Sequence, residues 1–323
     1  MSSIPRQRIL VTGNIAYDLL LDYGGVFQEA LARATTGVLS VSFEIKDIIR
    51  QFGGTGANIA WNLRLLKQDP LLVASVGSDS GEYLKHLTTG GVDTSHIEVL
   101  EKYLTATGVC CTDGKQNQFW FFCNAADSHG TWPDLSRERT HISYGIVAPR
   151  NPKIMLQAMR WCAKNKIPAI FDPGQEILRF TEEELKEAAS LATGIICNTY
   201  EWDVLSSHLK KKEENLIAEG LAFLIITKGS DGHTQYRSDG TENIGRCDAA
   251  SFANPTGAGD AFRAGLLTGL TAGWSFRDSG RLGAALASFV VELGGTLLPK
   301  LDVEEMRRRA KLAYGEDLPP LPR

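Results

Sequence analysis

Asn254-Pro255-Thr256-Gly257-Ala258-Gly259-Asp260-Ala261-Phe262-Arg263-Ala264-Gly265 sets a glycine turn and one carboxylate at the mouth of an apolar helix. Gly257 and Gly259 can take backbone angles closed to other residues and let a ligand approach the main chain. The helix beginning near Asp260 points unpaired N–H groups outward, and together with the helix dipole those donors favour an anion. Beside that anion hole, Asp260 could orient a hydroxyl and accept its proton while the backbone neutralises charge on a moving phosphoryl group. Read alone, Thr256 to Asp260 is equally a plain helix N-cap, because Thr and Asp are favoured there.

A second glycine cluster, Gly53-Gly54-Thr55-Gly56-Ala57-Asn58, precedes another apolar helix, Ile59 to Leu66, so the chain offers two ligand sites or two ends of one. Elsewhere short apolar runs alternate with helical stretches. The strand-like runs are Ile9 to Thr12, Leu71 to Val76, Gly145 to Ala148, Ala169 to Asp172, Gly194 to Asn198 and Phe223 to Thr227. The helical ones include Gly81 to Leu87, Pro152 to Asn165, Glu182 to Leu191 and Tyr200 to Leu209. Such alternation predicts an α/β protein, a parallel sheet with helices on both faces. Two regions break the pattern, about 14–50 and 103–124, where β-rich text such as Gln118-Phe119-Trp120-Phe121-Phe122 predicts a small second sheet acting as a lid that excludes water.

The 323 residues carry a formal charge of −4, which argues against a general nucleic-acid binder. The basic cluster Arg307-Arg308-Arg309 with Lys311 fits the exposed face of a terminal helix. No run reaches membrane-spanning length and the N-terminus lacks the apolar core of a signal peptide, so a cytoplasmic protein is expected. Six cysteines show no Cys-x-x-Cys pair and no zinc-like spacing, and read as thiols in a reducing compartment.

With both glycine clusters, the alternation and the lid in hand, the chain resembles the ribokinase (PfkB) family of sugar and nucleoside kinases over nearly its whole length. The resemblance rests on Gly257-Ala258-Gly259-Asp260, Gly53-Gly54-x-Gly56-Ala57-Asn58, Gly77-Ser78-Asp79-Ser80-Gly81 and Gly90-Gly91-Val92-Asp93. It implies one domain over 1–323, a ribokinase-like three-layer α/β/α sandwich with a mainly parallel central sheet and a small β-sheet lid. Asp260 is then the catalytic base, and the amides of Gly257, Ala258 and Gly259 form the anion hole. An ordinary carboxylate, with a pKa of about 4, is a weak base, but phosphoryl transfer has a loose transition state in which positioning outweighs basicity.

In Gly13-Asn14-Ile15-Ala16-Tyr17-Asp18, Asp18 matches the family's acidic residue that binds sugar hydroxyls, and Asn14 joins the same substrate set. Asn58 likewise contacts the sugar, with Gly54 letting the ring lie close to the backbone. Asn198-Thr199-Tyr200-Glu201 resembles the Asn-x-x-Glu motif, whose Asn198 and Glu201 hold Mg2+ and the ATP phosphates largely through water. Thr227-Lys228-Gly229-Ser230-Asp231-Gly232 is similar to the nucleotide loop, giving Thr227, Gly229 and Gly232 as ATP contacts, although a hairpin turn competes for the same text. Ala284 and Ser288, small residues on the helix Leu282 to Leu293, border the adenine in this reading, and plain core packing is the alternative.

Ser40-Val41-Ser42-Phe43, Asn198-Thr199-Tyr200-Glu201-Trp202-Asp203 and the context of Asp260 look most like the bacterial adenosine kinases of the family. By that likeness Phe122 stacks on a purine, while Ser42 and Gln175 line the base pocket. Alternation along a strand requires two of Phe119, Trp120, Phe121 and Phe122 to point away. Val109 stands where a second lid aromatic is usual, which makes the clamp one-sided, and Cys123-Asn124 replaces the usual turn. Asn254 stands for the usual aspartate, which removes a charge that helps hold a monovalent cation and puts potassium activation in doubt.

The implied activity is transfer of the γ-phosphate of ATP to the 5′-hydroxyl of adenosine or a related nucleoside. A sugar kinase acting on ribose or fructose and a non-catalytic nucleotide sensor stay open. A dehydrogenase ranks below them, because neither cluster reads Gly-x-Gly-x-x-Gly directly after the first strand. The expected partner is the small-molecule acceptor, with no nucleic acid and no membrane, and a homodimer stays open.

Overall fold

Strand β1 (Arg8–Thr12) sends Ile9 and Val11 into one core and Leu10 into another, and the same alternation organises the rest of the main sheet. The computed structural model describes residues 7–32 and 41–322. After β1 come β2 (Ala16–Tyr23), α1 (Phe27–Ala32), β3 (Asp47–Gly53) and α2 (Thr55–Leu65). Strand β4 (Pro70–Gly77), α3 (Gly81–Thr89) and β5 (Ile97–Leu100) lead into a hairpin of β6 (Ala106–Asp113) and β7 (Gln118–Cys123). Strand and helix then alternate through β8 (Ile142–Val147), α4 (Pro152–Lys164), β9 (Ala169–Phe171), α5 (Glu182–Leu191) and β10 (Gly194–Asn198). The chain continues with α6 (Thr199–Leu209), α7 (Glu213–Ala218), β11 (Phe223–Thr227), β12 (His233–Arg237) and β13 (Gly240–Ile244). Helices α8 (Ala258–Thr271), α9 (Phe276–Val290) and α10 (Val303–Tyr314) follow.

Nine strands form the main sheet in the order β13-β12-β11-β10-β9-β8-β1-β4-β5, parallel throughout except where β12 pairs with its two neighbours. One face is covered by α2, α3, α8, α9 and α10, which bury Leu63, Leu87, Leu266, Leu286 and Met306. The other is covered by α4 to α7, which bury Met155, Leu185, Leu205 and Leu216. The expected elements therefore stand where the apolar runs placed them. The lid is also present, as a four-stranded sheet ordered β3-β2-β6-β7. No helix among the described residues is long and apolar enough to cross a membrane.

The two sheets part between β1 and β2, and α2 begins hard against that turn. A Cβ on Gly13 would lie 2.8 Å from the Gly56 backbone, and one on Gly54, whose φ is +93°, would lie 2.5 Å from the Ala16 nitrogen. Only glycine fits both constraints. Asn14 closes the junction, its side-chain oxygen accepting the Thr55 N–H (2.8 Å) and its backbone carbonyl the Gly56 N–H (3.0 Å).

The chain leaving the lid is fastened separately. Just after β7, the short turn Ala125–His129 buries Asp127 against Arg150 at 2.9 Å, both side chains fully enclosed. Arg150 also donates to the Thr12 hydroxyl, the Val73 carbonyl and the Ser75 hydroxyl, each at 3.1 Å, while Asp127 accepts the Asn151 N–H. Removing one partner of such a pair leaves the other charge buried and uncompensated. Arg150→Met should therefore cost about 3–5 kcal/mol, and Arg150→Met with Asp127→Leu should recover much of that loss. Urea denaturation measures both, and an unchanged midpoint in the single variant would remove Arg150 from this anchoring role.

Candidate active site

The site grows from the start of α8. Gly257 caps the helix in the left-handed region, with φ +85°, and a Cβ there would press on Thr296 at 3.0 Å. The Ala258 N–H is occupied by the Pro255 carbonyl (3.2 Å), which closes a tight turn, and the Ala261 N–H by the Gly257 carbonyl (3.0 Å). Among the described residues the N–H groups of Gly257, Gly259 and Asp260 have no backbone acceptor. The N–H groups free to meet an anion are thus those of Gly257, Gly259 and Asp260, whereas the expected donor Ala258 is already engaged. Asn254 serves the same turn, its side-chain oxygen accepting the Thr256 N–H at 2.9 Å.

Asp260 retains some open surface, yet desolvation drives its carboxyl up from the usual range to about 7. Arg263 and a hydrogen bond from Asn58 oppose that rise, while Asp172 and Asp18 add to it. The group is thus a stronger base than the ordinary carboxylate that the sequence implies. Asn58, on the first turns of α2, donates its amide to Asp260 Oδ2 at 2.7 Å. Thr296 fixes the other end of that amide, its hydroxyl lying 3.0 Å from Asn58 Oδ1 and 2.8 Å from the Phe52 carbonyl.

Asp18 projects from β2 on the face of the lid sheet turned toward Asp260. Gln51, Asp18, Gly108 and Phe122 stand in register across β3, β2, β6 and β7. A Cβ on Gly108 would lie 2.8 Å from Asp18 Oδ1, 3.4 Å from the Phe122 ring and 3.6 Å from the Trp120 ring. Phe122 and Trp120 therefore share the face of Asp18, and burial pushes the Asp18 carboxyl up to about 6. Val109 pairs with Phe121 one residue along and faces the opposite way, so its identity does not make the clamp one-sided. Strand β7 is exposed along its length, with Phe119, Trp120, Phe121 and Phe122 at 44, 49, 64 and 44 %.

Behind the anion hole lies a cleft of about 850 Å³ lined by Asn198, Thr227, Gly229, Gly232, Gly259 and Ser288. Ala284 and Phe262 complete its apolar wall. The Gly229 and Gly232 segment is the turn joining antiparallel β11 and β12, and both glycines line the cleft. His233 beside it is held neutral, burial lowering its pKa to about 4.

Asn198 and Glu201 cap α6 reciprocally, the Asn198 side chain accepting the Glu201 N–H (2.9 Å) and Glu201 Oε2 accepting the Asn198 N–H (2.8 Å). One carboxylate oxygen is thereby occupied. Among the described residues no three His, Cys, Asp or Glu side chains converge as a metal ligand set. The donor set suits an ion that takes its ligands from phosphate and water and touches the protein through that shell.

Asn14 is bonded to the start of α2, the element that carries Asn58, while Ser42 lies exposed on the segment before β3 and Gln175 is exposed in the turn Gly174–Arg179. Sequence reasoning passed over Thr296, Asp172 and Arg263. An arginine within the apolar text Ala261-Phe262-Arg263-Ala264 was the available signal, since a buried guanidinium needs a carboxylate partner.

The sequence profile of pfkB family carbohydrate kinases matches residues 11–302, and the chain belongs to that family, with its ribokinase-like fold. It is 31% identical over 270 residues to the nucleoside kinase of Methanocaldococcus jannaschii, covering 81% of this chain and 87% of that one. The crystal structure of that archaeal enzyme superposes with a TM-score of 0.83 over 95% of this chain and 99% of its own, at 26% identity. The nucleoside kinase of Burkholderia thailandensis in complex with inosine superposes with a TM-score of 0.82 at 30% identity, over 96% of this chain and 99% of its own. Family membership and nucleoside kinase relatives make this fold and site those of a phosphotransferase acting on a hydroxyl group.

Gly108 offers a direct test of which lid face meets the acceptor. Gly108→Val places a branched side chain between Asp18 and Phe122, and should raise the acceptor KM by about tenfold or more while the KM for the phosphoryl donor stays within about twofold. Steady-state kinetics with each substrate varied checks this, and an unchanged acceptor KM would take the acceptor off this face.

Proposed function

We propose that the protein transfers the γ-phosphate of ATP to the 5′-hydroxyl of a purine nucleoside, adenosine or a close relative, with Asp260 as general base. The observation that carries this reading is the placement of the Asp260 carboxyl, poised near 7, beside three unpaired backbone N–H groups and close enough to feel the charge of Asp18. Support for a nucleoside comes from relatives named nucleoside kinases, one of them solved with inosine. Support also comes from Phe122 and Trp120 beside Asp18, aromatic rings on which a base can stack.

In this reading Asp18 and Asn58 orient the ribose hydroxyls and bring the 5′-oxygen to Asp260. As that oxygen bonds to phosphorus, its proton passes to Asp260 and the bond to the β-phosphate oxygen breaks, releasing ADP. The amides of Gly257, Gly259 and Asp260 hold the oxygens of the transferred group. Thr227, Gly229 and Gly232 line the polyphosphate side of the cleft, and Ala284 with Ser288 borders the adenine. Asn198 and Glu201 would hold Mg2+ through its water shell, and the ion would supply charge neutralisation to the phosphates. The lid sheet closes over the acceptor and excludes water.

Asp260→Asn should keep nucleoside affinity within about twofold and lower kcat by about two to four orders of magnitude. Near-normal turnover in that variant would sink the base assignment. The base works only when ionised, and its folded pKa lies above the ordinary carboxylate range, so kcat/KM falls as pH drops through about 7. Below about 6 Asp18 takes up a proton as well, so the logarithmic slope steepens from one toward two. A profile measured from pH 5 to 9 that stays flat below 7 would contradict both assignments. A transfer assay with ATP and Mg2+ against adenosine, inosine, guanosine, ribose and fructose decides the acceptor, and preference for a free sugar would replace the nucleoside reading.

A further inference from the structure

Arg263 sits one turn into α8, with 8% of its surface exposed, and its Nε and Nη2 both bond the carboxylate of Asp172, the second at 2.7 Å. Asp172 is fully buried at the end of β9. The third guanidinium nitrogen, Nη1, donates to the Gly259 carbonyl at 3.0 Å. A buried pair of this kind is poor evidence for stability, because apolar residues of similar volume often do as well. Its position is more telling. It lies under the turn that carries the unpaired amides, and Arg263 is the largest charge acting to keep Asp260 ionised.

The geometry has a directional consequence. A trans peptide is planar, so its C=O and N–H point in opposite directions. The peptide joining Gly259 to Asp260 lies in the first turn of α8 and has its carbonyl bonded by Arg263, so the Asp260 N–H faces away from the guanidinium. The groups that face Asp260 are Arg263 on its own helix, Asn58 on α2, Asp172 after β9, Asp18 on β2 and the neutral phenol of Tyr83 on α3. Arg263 also faces Glu201 at the start of α6. One guanidinium therefore answers several carboxylates on both sides of the transfer point.

We propose that Arg263, locked by Asp172, is a positioning residue that supplies the buried countercharge of Asp260 and clamps the Gly259 carbonyl so that the next amide faces the transferred phosphoryl group. The proposal rests on the reading of Asp260 as base. Arg263→Gln removes the countercharge, so the acidic limb of the pH profile should move up by about one unit or more, with part of the lost kcat returning at pH 9 and the acceptor KM within about threefold. Arg263→Lys keeps the charge and loses the fork, so the limb should stay in place while kcat falls at least about tenfold. Asp172→Asn removes a negative neighbour, so the limb should move down, opposite to Arg263→Gln.

These shifts of opposite sign would not follow from a purely structural role, and far-ultraviolet circular dichroism confirms that each variant is folded. Should Arg263→Gln fail to fold, the other two variants decide. A limb unmoved in Asp172→Asn, or full kcat in Arg263→Lys, overturns the proposal. Asp260→Asn separates the two readings. If that variant keeps turnover, the base assignment fails; if it is inactive while the arginine and Asp172 variants leave the limb in place, this inference alone fails.

Discussion

The hydrogen bond from the Asn58 amide to Asp260 Oδ2 joins residues 202 apart in the chain and brings two helix starts to one point. Helix α2 is placed by the close approach of Gly13 and Gly56, and α8 by the left-handed Gly257 packed on Thr296. The Thr296 hydroxyl touches both Asn58 and the Phe52 carbonyl, so one side chain ties α2 to the base of the lid strand β3 as well. The Asn58 amide and the Thr296 hydroxyl thereby set α2, α8 and the lid strand relative to one another. An amide suits the position. It favours the ionised form of the carboxylate by one hydrogen bond, whereas a lysine there would hold the acid so firmly ionised that it would lose basicity.

Much of the fold was legible because buried parallel strands read as continuous apolar runs. Leu71 to Val76 and Gly194 to Asn198 are of this kind, and both appear within a residue or two of their expected limits. The two glycine clusters were legible because their backbone requirements are local. The faces of the lid were not, since a shift of one residue moves every side chain to the other side of a sheet. That is why the sequence does not tell that Val109 faces away from Asp18 while Gly108 and Trp120 share its face. Asp172 and Arg263 lie 91 residues apart, and no spacing rule pairs them. The occupied N–H of Ala258 depends on a turn that composition does not specify.

Burial of the acids explains what the site lacks before its ligands arrive. Asp18, Asp172, Glu201 and Asp260 are all raised above their ordinary values chiefly by desolvation, and the guanidinium of Arg263 opposes that rise for the last three. Such an arrangement is unfavourable to folding, because each carboxylate ionises more readily in the unfolded chain than in place. When ionised, the same carboxylates oppose the anion that the amides at the start of α8 and the helix dipole attract. The same crowding keeps Asp260 near 7 rather than 4, so the electrostatic cost borne by the fold is what gives the carboxylate useful basicity at neutral pH.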